Sequence, residues 1–241
     1  MNVAPIPINE TRLSILKRSQ INASIEQAID VFAANGLHLP PYAYLTPEQW
    51  RQMGSEADEI RHCLLGWDVT DFGSGDFARI GRTLFTLRNG RMDDPRYPKS
   101  YAEKFLLDPE GQRAPAHFHR SKREDIIHRG KSGAIILELT PTNDAGIAIE
   151  QPLRVQVNGM TRTVQPRERI RLSPGESLEI PPRTIHQFWG EEGGGITASG
   201  EVSSVCDDWN DNCFVDPAKR FPKIEEDVPR RFYLCQEYPA A

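Results

Sequence analysis

The sequence predicts a mainly β fold, an antiparallel sandwich or small barrel preceded by helices, and three observations carry that expectation. Short apolar runs recur from position 83 onward, many of them separated by Gly, Pro, Asn or Asp, at the spacing of strands in an all-β domain. One segment near the start instead repeats its apolar residues with a helical period. No internal repeat and no apolar run long enough to span a bilayer competes with this reading. With 241 residues, a single domain over 1–241 is expected, with a mainly helical extension over 1–65 and a C-terminal wrap over 207–241.

The first helix is expected from Ile21, Ile25, Ala28 and Phe32, which form one apolar stripe, with Ser19 as N-cap and Gly36 placed to end it. Beyond Pro40 and Pro41, Thr46-Pro47-Glu48-Gln49 has the arrangement of a capping box with proline at the first helical position, so a second short helix starts there. Both helices are expected to cover the barrel, with a subunit contact as the alternative. Residues 71–75 read as a loop, and 83–87 as a strand ending at the turn signal Asn89-Gly90. Further strands are expected at 102–107, 116–119, 134–139, 153–157, 170–172, 177–180, 185–189 and 196–205. The tail beyond Asp207, rich in Asp, Pro and Arg, is expected outside the barrel, with 232–234 as a candidate last strand.

The formal charge of -5, with Lys and Arg interspersed among Asp and Glu, argues against electrostatic nucleic-acid binding. The first ten residues lack the apolar segment of a signal peptide. Cys63, Cys206, Cys213 and Cys235 show no Cys-x-x-Cys spacing and are expected to be free thiols, so a cytoplasmic location is expected.

The chemistry concentrates in His117-Phe118-His119-Arg120-Ser121-Lys122-Arg123-Glu124. On a strand, His117 and His119 point to one face and Phe118 to the other, and Glu124 can return to the same space. With His186, these groups make a nitrogen and oxygen ligand set for a divalent transition metal with coordination positions left open. His186 has its own punctuation: Gly175, then Pro181, Pro182 and Arg183. His38, His62 and His128 have no partner at ligand spacing, and Trp67 and Trp189 are expected in the core.

These two segments resemble the paired motifs of the cupin family, an H-x-H with a following glutamate and then G-x5-P-x-G-x2-H, with Arg183 standing where the motif has its second glycine. The flanking segments 65–70, 83–90, 101–104, 125–127, 200–205 and 220–227 are similar to the D-lyxose isomerases within that family, and the resemblance extends over most of the chain. It implies a cupin-type, jelly-roll-like barrel, a homodimer and a divalent metal, with manganese expected first and cobalt, nickel, iron or zinc compatible with the same ligands. It implies a small neutral sugar as substrate: D-lyxose to D-xylulose, and D-mannose to D-fructose, by proton transfer between C1 and C2 through a metal-stabilised enediolate.

In that scheme His117, His119, Glu124 and His186 are the metal ligands. Glu201, on the strand expected after that of His186, is the leading candidate base, and Lys104 the second catalytic candidate or a holder of a sugar hydroxyl. Asp208 and Arg220 are candidate substrate contacts, and Asp125 is expected to orient an imidazole or close a turn. Two alternatives stay open: an Fe(II) dioxygenase using the same ligands, and a non-catalytic sugar-binding protein that keeps the metal for structure.

Overall fold

The computed structural model describes residues 15–241; the part of the expected N-terminal extension before residue 15 lies outside them. Helix α1 (Arg18–Ala34) is followed by two short helices, α2 (Pro47–Trp50) and α3 (Asp58–His62). Thirteen strands follow: β1 (Gly66–Thr70), β2 (Arg82–Arg88), β3 (Tyr101–Asp108), β4 (His117–His119), β5 (Glu124–His128), β6 (Ile135–Pro141), β7 (Leu153–Val157), β8 (Met160–Val164), β9 (Arg169–Leu172), β10 (Ser177–Ile180), β11 (Thr184–Gly190), β12 (Thr197–Ser204) and β13 (Asn212–Phe214). They form two antiparallel sheets, ordered β1-β2-β3-β12-β5-β10-β7-β8 and β13-β4-β11-β6-β9. The mainly β class and the jelly-roll-like layering expected of a cupin barrel are therefore present, with the helices at the N-terminal side.

Alternation along the strands builds two apolar layers. Leu84, Leu106, Ile126, Leu137, Ile170, Leu178 and Phe188 meet between the sheets. On the opposite face of the larger sheet, Phe85, Phe105, Leu107 and Trp67 pack against Ile21, Ile25, Ala28 and Phe32, the stripe of α1. Phe32 stacks parallel to Trp67 at 6.3 Å, so Trp67 is core. Trp189 is buried too, with the Arg113 guanidinium 3.8 Å above its ring.

Several local expectations shift for identifiable reasons. Helix α1 starts before Ser19, with Lys17 at the N-cap and its amide donating to Gln20 Oε1 at 3.0 Å. The Ser19 hydroxyl is instead engaged by Asp227 at 2.6 Å. Gly36 does end the helix, with φ of 75°, and Thr46 and Gln49 do close a capping box. Asn89-Gly90 is no hairpin turn. The chain leaves β2 there into a long connection, Asn89 bonding Cys206 through both its amide atoms, and Gly90 packs so close to Lys99 that a Cβ would lie 1.7 Å from the Lys99 carbonyl oxygen. The Asn-Gly turn that does make a hairpin is Asn158-Gly159, with φ of 53° and 75°, between β7 and the unanticipated, mostly exposed β8. Strands β1 and β5 were also not expected.

The tail departs from a purely external wrap. Residues 212–214 enter the smaller sheet as β13, in register with β4. The candidate strand at 232–234 reduces to one bridge between Leu234 and Trp67, because the chain turns at once, Glu237 N donating to Leu234 O at 2.8 Å. Arg18, wholly buried, ties this tail to α1 by bonding both Glu226 and Glu237. All four cysteines are free, and no described helix is long and apolar enough to cross a membrane.

The Arg18 guanidinium holds the Glu226 carboxyl down to about 2. A depressed carboxyl contributes stability above its unfolded value, roughly 4.3, and loses it as pH falls toward the folded value. The Glu226→Gln variant is expected to melt below the wild type at neutral pH, with the gap in Tm narrowing as pH drops from about 4.5 to 2; calorimetry across that range checks it.

Candidate metal and sugar site

The site lies between the two sheets, where β4 and β11 of one face β3, β5 and β12 of the other. His186 is in register with His117, so three imidazoles converge, and their nearest nitrogens all lie within 4.8 Å of one another. Two of the rings are aimed by the backbone: His117 Nδ1 donates to Pro115 O at 2.8 Å, and His186 Nδ1 to Thr184 O at 2.9 Å. Each ring is thereby turned to present its Nε2, the atom a metal would take, to the shared space. Burial, with the neighbouring rings, pushes His117 well below the usual imidazole range, and burial with Lys122 brings His119 down to about 3.

Glu124, on β5, completes the group expected from the sequence. Its Oε1 lies 2.9 Å from His186 Nε2, its close polar neighbour. This short approach brings a carboxylate oxygen and a ring nitrogen to one point of a buried space, where a cation could be held between them. The donor set of three neutral imidazoles and one carboxylate suits a divalent transition metal, so these residues fit one.

The glycine missing from the second motif leaves the turn intact. Arg183 takes the left-handed conformation itself, φ 60°, its amide donating to His119 O at 2.7 Å. Its carbonyl accepts from Thr142 N at 3.0 Å and from Thr142 Oγ1 at 2.8 Å. These bonds over-determine a backbone shape that costs a bulky residue about 1 kcal/mol or more, and they tie the His186 turn to the His119 strand.

Glu201 and Lys104, opposite each other in the register of β12 and β3, both point into the cavity. The residue that joins them to Glu124 is Lys122, to which the sequence reading gave no role. Its buried ammonium lies 2.6 Å from Glu124 Oε2 and 2.7 Å from Glu201 Oε1, while Lys104 Nζ lies 3.1 Å from the same Glu201 oxygen. Burial works against every one of these charges. Even so, Lys122 keeps Glu124 well below the usual carboxylate range, Lys104 and Lys122 together lower Glu201, and the carboxylates hold Lys122 well above the ordinary lysine value. Its place two residues before Glu124, on a parity that returns it to the same face, was the available signal.

Asp208 and Arg220 also line the cavity, and they pair with each other at 3.1 Å. Arg220 is further held by Asp68 on β1, a partner with no signal in the sequence. Asp211 was missed as well. It accepts from Ser121 N at 2.8 Å, Ser121 Oγ at 2.7 Å and Lys122 N at 3.0 Å, and so pins the turn between His119 and Glu124.

Asp125 corrects an expectation. It lies on the opposite face of β5 from Glu124, paired in register with Val202 and Glu179, so it orients no imidazole. His62 bonds the Tyr97 hydroxyl and His128 accepts from Gly130 N, both away from the three-histidine group.

A profile of the D-lyxose isomerase family matches residues 16–238. The chain belongs to the D-lyxose isomerase family. The D-lyxose/D-mannose isomerase of Serratia proteamaculans is 46% identical over 224 residues, 92% of this chain and 98% of the relative. The protein of the same name from Escherichia coli O157:H7 is 43% identical over the same shares. The fold reaches further: the L-ribose isomerase of Acinetobacter sp. DL28 in complex with L-ribose superposes with a TM-score of 0.61 at 14% identity, covering 90% of this chain and 100% of that one. The ligand-free L-ribose isomerase of Cellulomonas parahominis gives 0.60 at 15% identity, covering 89% and 100%. As a member of the D-lyxose isomerase family the chain is a sugar ketol-isomerase, which decides between the three readings left open by the sequence.

Removing the shared ammonium with Lys122→Met leaves Glu124 without an ammonium partner and Glu201 with Lys104 alone. Breaking such a buried pairing typically costs about 3–5 kcal/mol, so the urea midpoint of the metal-free protein at pH 7 is expected to fall by that equivalent. A loss below about 1 kcal/mol would mean that the carboxylates do not depend on Lys122.

Proposed function

We propose that this chain interconverts D-lyxose with D-xylulose, and D-mannose with D-fructose, as a metal-dependent enzyme whose cation is held by His117, His119, Glu124 and His186. One observation carries the reading: beside three convergent imidazoles and Glu124 lies a second carboxylate, Glu201, kept ionised and aimed into the same cavity. The names of the two relatives at 46% and 43% identity support the substrates. Manganese and a homodimeric working form belong to this reading through the family resemblance, and a cytoplasmic location through the cysteine usage of the sequence.

Aldose-ketose exchange moves one proton between C1 and C2 and another between the attached oxygens, with no net redox. A divalent cation bound at the histidine group supplies Lewis-acid stabilisation of negative charge on adjacent substrate oxygens. The carbon-bound proton needs a base, and Glu201 suits it: Lys104 and Lys122 both bond its Oε1, leaving Oε2 free of either lysine to take the proton and return it one carbon along. The two ammonium groups serve a second purpose. They offer hydrogen bonds to oxygens that gain charge and are already oriented before substrate arrives. Asp208 and Arg220, at the other side of the cavity, are positioned for the remaining hydroxyls.

Metal-loaded protein incubated with D-lyxose or D-mannose should form the ketose, and Glu201→Gln should lower kcat by roughly a hundred- to ten-thousand-fold while metal content stays at the wild-type level. In deuterated water the ketose should carry solvent deuterium at C1. Full activity in Glu201→Gln, or no ketose with any of manganese, cobalt or nickel, would remove the assignment.

A further inference from the structure

We propose that a second cavity, on the outer side of residues 205–210, is a docking subsite for the closed pyranose ring of the aldose. From there the opened chain would pass inward to the histidine group. The proposal rests on the isomerase reading and adds the form in which the sugar is first recognised.

The chemistry requires two forms of one substrate. In a pyranose, C1 is bonded to the ring oxygen and carries no carbonyl, so no proton shift between C1 and C2 begins until the ring opens. The inner cavity is suited to the opened form. It is narrow, about 60 Å³ among buried charges, so it admits the leading C1–C2 end of an opened chain more readily than the breadth of a whole ring. The outer cavity is about 340 Å³, within the usual range for small-molecule sites.

The two spaces share a wall. Asp208 lines both of them. Cys206, which lines the outer one, lies 3.0 Å from Lys104 Nζ of the inner one. A ring held outside is therefore one side chain away from the catalytic lysine.

The outer cavity also has the composition a sugar ring needs, an apolar plate edged by hydrogen-bonding groups. The plate is Trp209, 69% exposed and backed by Phe221 at 4.8 Å. Its exposure is built rather than loose. Asp207 Oδ1 accepts from Trp209 N at 3.1 Å and Asn210 N at 3.0 Å, and Asp211 fastens the other end of the turn to Ser121 and Lys122. Around it, the forked Arg91–Asp93 pair and the exposed Asn210 supply donors and acceptors for ring hydroxyls. Aromatic faces pack against the C–H face of a pyranose while the rim takes its hydroxyls.

Methyl α-D-mannopyranoside tests this directly, because its locked ring can occupy only the outer site. It is expected to inhibit aldose turnover competitively. Trp209→Ala is expected to raise both its inhibition constant and the KM for D-mannose about threefold to tenfold, with kcat within about twofold, and Trp209→Phe to restore both. Saturation-transfer NMR reads glycoside binding without turnover, so a failure of the isomerase reading stays distinguishable from a failure of the subsite. No glycoside binding or inhibition at concentrations where the aldose saturates would overturn the proposal. So would unchanged constants in Trp209→Ala, or an effect of that substitution on subunit association alone.

Discussion

Two carboxylates and two ammonium groups share one buried oxygen-and-nitrogen cluster inside the barrel, and everything else at the site depends on that arrangement. None of Glu124, Glu201, Lys104 and Lys122 is more than slightly exposed. Charges taken out of water persist only when paired at close range, and Lys122 is the member that pairs with both carboxylates. The cluster is also asymmetric in a useful way. Both lysines converge on a single oxygen of Glu201, while Glu124 turns its other oxygen toward His186. One carboxylate is thereby offered to a cation and its neighbour to a proton.

The sheets make this arrangement possible because register fixes which side chains meet. On the larger sheet, the pairings of β12 with β3 and β5 bring Glu201 opposite Lys104 and one diagonal step from Glu124. On the smaller sheet, the pairing of β11 with β4 sets His186 beside His117. A slip of one residue in either strand would turn the chemistry outward and the apolar face inward. The helix that covers the far side of the larger sheet, and the tail clamped to it through Arg18, hold those registers against an apolar layer that the site itself never touches. The same tail delivers Arg220, so the segment that closes the structure also supplies the cavity's outer wall.

Much of this was legible in the residues, and the reasons differ by feature. The three histidines and Glu124 stand in a short run and a punctuated turn; period-two alternation puts His117 and His119 on one face, and strand pairing and the facing sheet bring in His186 and Glu124. The stripe of α1 and the Thr46 capping box are strictly local and read directly. What escaped was set by distant contacts. Lys122 looks like one basic residue among several until its two carboxylate partners are in place. Asp211 resembles any turn-forming aspartate, and Asp68 gains its role only when a residue far along the chain reaches it. Asn89-Gly90 carries a genuine turn signal, yet Asn89 is claimed by Cys206 and Gly90 by the backbone of Lys99, while the quieter Asn158-Gly159 makes the hairpin. Arg183 shows the reverse case, a residue that breaks a motif while its backbone keeps the motif's shape.

Anomalous diffraction from crystals grown with manganese and soaked with an unreactive open-chain sugar alcohol tests the account at its centre. A single strong peak is predicted, bonded by His117, His119, His186 and Glu124, with the Glu201 carboxylate beside the first two carbons of the ligand and outside the metal's coordination. A peak held by Glu201 and Asp208 instead, or a sugar lying away from Glu201, would contradict it.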